Sequence, residues 1–153
     1  MNLSPIVMFV YNRPWHTQQT IEALQKNELA SESELFIYAD NAKRNKTNDE
    51  VLKVRRYIKK IDGFKKVTII EREKNFGLAD SVIEGVTQVV KKYGRVIVME
   101  DDLVVSPYFL KYMNASLCKY VDEVKVIQIA GYMFPLNIDI KEDALFLPLT
   151  SSW

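Results

Sequence analysis

Apolar residues in this chain fall into short continuous runs, separated by stretches where they recur every three or four positions. Residues 6–11 form the first run, rich in β-formers and of a length that predicts a strand covered on both faces. Asn12-Arg13-Pro14 ends it. Helical spacing follows, with Ile21 and Leu24 on one face and Lys26-Asn27 near the end. Residues 35–39 predict a second strand, stopping at Asp40-Asn41, and the polar, cationic residues 42–47 predict a loop. Asn48 then reads as a helix cap, with Asp49 and Glu50 in the first turn, where carboxylates favour the helix dipole. Val51, Val54, Ile58 and Ile61 supply the apolar face of this helix, Lys59-Lys60 its last turn and Gly63 its stop.

The second half repeats the pattern. Residues 67–70 predict a third strand, and Val82, Val86, Val89 and Val90 a third helix that ends at Gly94. Residues 96–99 predict a fourth strand. Ser106-Pro107 reads as a cap with proline in the first helical position, opening a helix that carries Phe109, Leu110, Met113 and Leu117. Residues 124–130 predict a fifth strand and residues 144–149 a further one. Strands alternating with helices imply parallel pairing through right-handed crossovers. The expected fold is α/β: a layered, Rossmann-like, mostly parallel sheet with helices on both faces. No repeat, low-complexity tract or linker divides the 153 residues, so one domain is expected.

Charge narrows the functional classes. Lys and Arg total 21 and Asp and Glu 20, a net +1 that argues against a dedicated nucleic-acid binder. The single cysteine, Cys118, makes neither an internal disulfide nor a zinc site, and its neighbours Met113 and Leu117 suggest helix packing. Residues 1–4 lack a basic stretch, and the apolar run after them is too short for a signal segment or a membrane span. A cytoplasmic protein is expected, with peripheral contact to a membrane where a lipid-linked substrate is used.

Against this even background, Glu100-Asp101-Asp102 stands out at the end of the fourth strand. Three adjacent carboxylates repel one another, and a hard divalent cation, which takes oxygen ligands, would cancel that repulsion. In an open parallel sheet, ligands gather at the carboxyl ends of the strands. Those ends carry Tyr11-Asn12-Arg13, Asp40, Glu71 and the acidic triplet, with Asn75-Phe76-Gly77-Leu78 just before the third helix. Such a rim suits a nucleotide. The five glycines form neither a P-loop nor a dinucleotide fingerprint, so phosphate charge would be met mainly by a cation.

Residues 96–113, from the apolar strand through Glu100-Asp101-Asp102-Leu103 and Ser106-Pro107 to an aromatic-rich helix, resemble the metal-site segment of GT-A glycosyltransferases. The likeness is nearest to the N-acetylglucosaminyltransferase I type and the bacterial family 2 type. Residues 7–14 are similar to the first nucleotide-binding loop of that superfamily, and residues 75–79 to the loop before its third helix. The resemblance implies transfer of a sugar from a nucleoside-diphosphate sugar, UDP above all, to an acceptor hydroxyl on a glycan, lipid-linked oligosaccharide or protein, with inversion. It implies Mn²⁺ or Mg²⁺ on Asp102, with Asp101 beside it. Asp101 and Glu100 would orient ribose and metal-bound water, Arg13 would lie near the nucleotide, and Asp40 would recognise uracil. Tyr11, Asn12, Asn75, Gly77 and Leu78 complete the expected nucleotide site.

Plainer readings stand beside these. Arg13 could pair with a surface acid, Asp40 could cap a turn, and Asn75 and Gly77 are what an ordinary turn uses. Lys43, Arg44 and Lys46 read as a solvated loop, His16 as an exposed first-turn residue, and Tyr108, Phe109 and Tyr112 as helix packing. No general base is assignable: Asp139, Glu142 and Asp143 are acids with nothing to place them at a reaction centre. The family pattern continues into an acceptor-binding half, so a chain truncated at its C-terminus is expected. A non-catalytic nucleotide-binding remnant is the alternative to an enzyme, and an open sheet edge would favour self-association.

Overall fold

The computed structural model describes residues 3–43, 49–132 and 146. Four strands, β1 (Ile6–Val10), β2 (Glu34–Ala39), β3 (Lys66–Glu71) and β4 (Ile97–Glu100), form one all-parallel sheet in the order β3-β2-β1-β4. Between and after them run the helices α1 (Pro14–Gln25), α2 (Asp49–Ile58), α3 (Leu78–Tyr93) and α4 (Phe109–Lys119). Every residue of β1 is buried, as its unbroken apolar sequence requires of a central strand. Its register runs Ile6 to Leu35 on one side and Ile6 to Ile97 on the other.

Alternation divides the sheet between two cores. Ile6, Met8 and Val10 of β1, with Leu35, Ile37, Ile97 and Met99, pack against α1, α2 and α4. Val7, Phe9 and Tyr38 face the other way, onto Val89 of α3. The handedness rule explains this split. The chain steps from β1 to β2 to β3 in one direction, so α1 and α2 share a face; it then reverses to reach β4, and the crossover α3 must take the opposite face. The reversal creates a topological switch point between β1 and β4, the place at which open α/β sheets bind their ligands.

The α/β fold is as expected, and several boundaries differ. Pro14 opens α1, where its fixed φ and missing N–H cost nothing. The second helix ends at Ile58, although Ile61 still packs on the core and Gly63 adopts φ +78° in the loop beyond. Gly94, at φ +77°, closes α3 as anticipated. Ser106-Pro107 does not open α4. The pair forms a turn in which Ser106 accepts the N–H groups of Tyr108 and Phe109, and the helix starts at Phe109. Its first turn is satisfied from outside instead, since buried Asn27 accepts the Leu110 N–H at 2.9 Å. Residues 124–130 are turn and irregular backbone rather than a fifth strand. Val124 and Ile127 are 90% and 91% exposed there. The expected cap at Asn48 and strand over residues 144–149 lie outside the described residues. No helix among the described residues is long and apolar enough to cross a membrane.

Candidate functional site

Two clusters occupy the carboxyl edge of the sheet. The first straddles the switch point. Arg13 is the N-cap residue of α1, and its carbonyl accepts both the N–H and the hydroxyl of buried Thr17, each at 2.9 Å. With its backbone held, the side chain reaches across to the turn after β4. Nη2 lies 2.5 Å from Asp101 Oδ1, and Nη1 lies 2.9 Å from Asp102 Oδ2. The two acids differ in setting: the Asp101 side chain is 4% exposed and that of Asp102 33%. Burial raises the Asp101 pKa above its ordinary value; the charge and hydrogen bond of Arg13 and the Tyr11 backbone N–H oppose this, and Asp102 adds to it. The Arg13 guanidinium is partly desolvated, which alone would weaken its hold on a proton, yet the two carboxylates outweigh this and its pKa rises.

Glu100 does not join this bridge. It sits opposite Phe9 at the last position of β4, and alternation with Val98 turns it to the α3 face, away from Met99 and Ile97. Asn12 is exposed. The Tyr11 hydroxyl accepts a long bond, 3.4 Å, from the Lys43 N–H. His16 is exposed and meets Trp15 edge to face, as expected of a first-turn residue. Tyr108 and Tyr112 are exposed rather than packed, whereas Phe109 lies against the core.

The second cluster is built on Asp40, directly after β2, whose N–H donates to Val10 at 3.0 Å and so ties it to β1. Its carboxylate is filled from four directions. Oδ1 accepts the N–H groups of Asn41 and Phe76 at 2.9 and 2.8 Å; Oδ2 accepts Asn75 Nδ2 and the Gly77 N–H at 3.0 and 2.9 Å. Asn75 also donates to the Asn41 carbonyl at 2.6 Å. The structure thus joins three predicted residues, Asp40, Asn75 and Gly77, in one clamp that lays the loop before α3 on the end of β2. Gly77 has φ +79° and ψ +165°, a conformation open to glycine almost alone, and Leu78 begins α3 with its side chain exposed.

Two arginines of this rim escape a reading of the sequence. Arg72, 8% exposed, pairs with Glu84 at 2.9 Å and lies over the rings of Phe76 and Tyr38, its centre 4.4 and 5.2 Å from theirs. Its Nε and Nη2 are buried without a partner. Arg55 of α2 donates to the Arg72 carbonyl at 2.6 Å and, more weakly, to those of Ala39 and Asp40. Arg72 sits in the charged run 71–74, and the signal for its burial under α3 is that it continues the β3 alternation from Ile70. A separate cavity of about 330 Å³, lined by Glu34, Lys65 and Lys92 among others, opens at the amino ends of the strands, far from both clusters.

The profile of glycosyl transferase family 2 matches residues 6–140, which include every residue of both clusters. The chain belongs to glycosyl transferase family 2. Its fold is the GT-A fold of that family, similar to the structure of S. aureus TarS at a TM-score of 0.52 and 17% identity. That likeness covers 79% of this chain and 20% of TarS, so the chain spans about a fifth of the length of the solved protein it matches. No curated protein sequence matches it. Within this family 2 chain, the Arg13 bridge and the Asp40 clamp stand side by side on adjoining strands, at the edge where open α/β sheets bind their ligands.

Proposed function

We propose that this chain is the donor-binding part of a metal-assisted glycosyltransferase, which moves a sugar from a UDP-sugar to an acceptor hydroxyl with inversion. The observation that carries the reading is the Arg13–Asp101–Asp102 bridge at the switch point of a family 2 chain. Every atom the two acids offer is a hard carboxylate oxygen, and a guanidinium already supplies positive charge between them. That donor set fits Mn²⁺ or Mg²⁺, which take one or two carboxylates and complete their shell with water and substrate phosphates. It fits better than a dedicated protein cage, since no group of three or more His, Cys, Asp or Glu among the described residues could hold an ion. Asp102 would hold the cation, with Asp101 beside it, and the charge of the ion would favour departure of the nucleoside diphosphate.

The chain's own residues account for the rest of the donor. Asp40 directly follows β2 and the two acids follow β4, two strand spacings or about 10 Å apart, a span that a nucleoside diphosphate bridges. Base and ribose would lie over the Asp40 clamp, beside Tyr11, Asn12, Asn75, Gly77 and exposed Leu78, with Glu100 on the ribose side. Because Asp40 is already saturated, it would meet a uracil N–H only by releasing one of its loop donors. Arg13 would face the diphosphate. The acceptor, whether glycan, lipid-linked or protein, and the base that deprotonates it belong to parts outside these two clusters. Among the described residues β3 and β4 are the outer strands of the sheet, and edges left open there would allow self-association.

The test is calorimetric titration of UDP into the chain with and without Mn²⁺, repeated on Asp102→Ala. Binding that needs the metal and is lost in the variant is the expected result. Binding indifferent to both would remove the metal from the reading.

A further inference from the structure

We infer that Arg13 is a placeholder that holds both acids when the site is empty, keeps Asp101 when it is loaded, and surrenders Asp102 to the incoming cation. This rests on the donor-site reading above. The bridge is asymmetric. Asp101 is almost wholly covered, and its charge is met by Arg13 and by the Tyr11 backbone N–H. Uncovering such a carboxylate from its guanidinium is costly, so the Nη2 contact is the permanent one. Asp102 stands at the solvent boundary, and water can take over from Nη1 there at little cost. The same guanidinium therefore has one fixed arm and one exchangeable arm. Its backbone cannot swing away, because the Arg13 carbonyl is held by both donors of buried Thr17.

Two consequences follow. Without nucleotide, a cation approaching Asp102 must displace Nη1 and meets the positive charge of Arg13 close by, so Arg13 opposes metal binding. With a nucleoside diphosphate present, the freed Nη1 gains a phosphate partner, a charge-assisted bond that arginine suits, and the opposition becomes assistance. Arg13 is thus a positioning residue that makes cation and nucleotide bind cooperatively. By reciprocity, each must tighten the other by the same factor.

The experiment is titration of Mn²⁺ into the 153-residue chain, followed by the electron paramagnetic resonance signal of free Mn²⁺, with and without UDP. It is run on the wild type, Arg13→Gln, Arg13→Lys, Asp102→Ala and the double variant Arg13→Gln/Asp101→Asn. For the wild type, UDP is expected to tighten Mn²⁺ by about fivefold or more, the lower end of ordinary coupling. Arg13→Gln is expected to bind Mn²⁺ more tightly than the wild type when UDP is absent, and to lose most of the UDP effect. Arg13→Lys keeps the charge without the two-armed fork, so it should bind Mn²⁺ weakly alone and recover only part of the coupling. The double variant leaves no unpaired buried charge, and it supplies the same comparison if Arg13→Gln unfolds. Unchanged or weaker Mn²⁺ binding in the folded Arg13 variants, with the UDP effect intact, would overturn the placeholder role while leaving the donor site standing. Failure of the wild type to bind Mn²⁺ under either condition, or binding untouched by Asp102→Ala, would overturn both.

Discussion

Asp40 shows how much one carboxylate can organise. Each of its oxygens faces two N–H donors, so replacing either oxygen by an amide nitrogen sets donor against donor whichever way the amide turns. Asp40→Asn is therefore expected to cost about 1.5–3 kcal/mol, the range for hydrogen bonds to a charged group. Urea denaturation measures it, and a loss of only a few tenths would mean that the loop holds itself. Under the proposed donor-site reading, UDP affinity should fall with it, because Asn75 and Gly77 are placed by the same bonds. At this scale the sequence was partly legible. Crowded acids after an apolar strand advertise themselves because nothing in folding favours them. Asp40 was noticed as a strand-end residue, yet its four partners include three from residues 75–77, a meeting that only the fold arranges. Arg72 is hardly legible in the sequence, because its burial depends on Phe76, Tyr38 and Glu84 closing around it.

Helices and strands were legible where one element alone decides its fate. A strand buried on both faces, such as β1, must be apolar throughout, and residues 6–10 could hardly read otherwise. Residues 124–130 carry equally good β-formers but have no neighbouring strand to pair with among the described residues, and β-propensity without a partner makes no strand. The start of α4 differs from its local signal for a related reason: its first turn is met by Asn27, just beyond α1, rather than by a cap at Ser106. The packing of α3 offers a test at this scale. A Cβ on Gly85 would come within 2.9–3.0 Å of the Phe9 ring and 3.0 Å of the Tyr38 ring. In an open helix, Gly→Ala gains about 1 kcal/mol. Here Gly85→Ala is expected to lose about 1–3 kcal/mol net, as overpacked cores do, in a denaturant titration. A gain would show that α3 can lift off the sheet freely, and the Arg72–Glu84 pair, which ties α3 to the residue after β3, would then not be held by packing.

For the molecule as a whole, the acid pair makes stability depend on pH in a direction that can be worked out. Burial lifts Asp101 above the ordinary 3.8, and Arg13 offsets this only in part. A carboxyl with a raised folded pKa binds its proton more tightly in the native state than in the unfolded chain. Its stabilising contribution is complete below the unfolded value and is lost as pH rises through the folded one. The window thus opens near 3.8 and extends upward, and at neutral pH Asp101 works against the fold. Asp101→Asn removes the titrating group while leaving Arg13 its partner Asp102. Measured by denaturation from about pH 4 to about pH 7, the wild type should lose stability relative to this variant as pH rises. A difference that stays flat or grows in the wild type's favour would mean that Arg13 outweighs burial. The expected sign has a structural meaning. Folding alone would not place a nearly covered aspartate next to another acid at the switch point of the sheet. The fold bears that opposition at the carboxyl edge of the sheet, and under the proposed donor-site reading a bound cation and nucleotide would offset it by mass action, raising stability most where Asp101 is ionised.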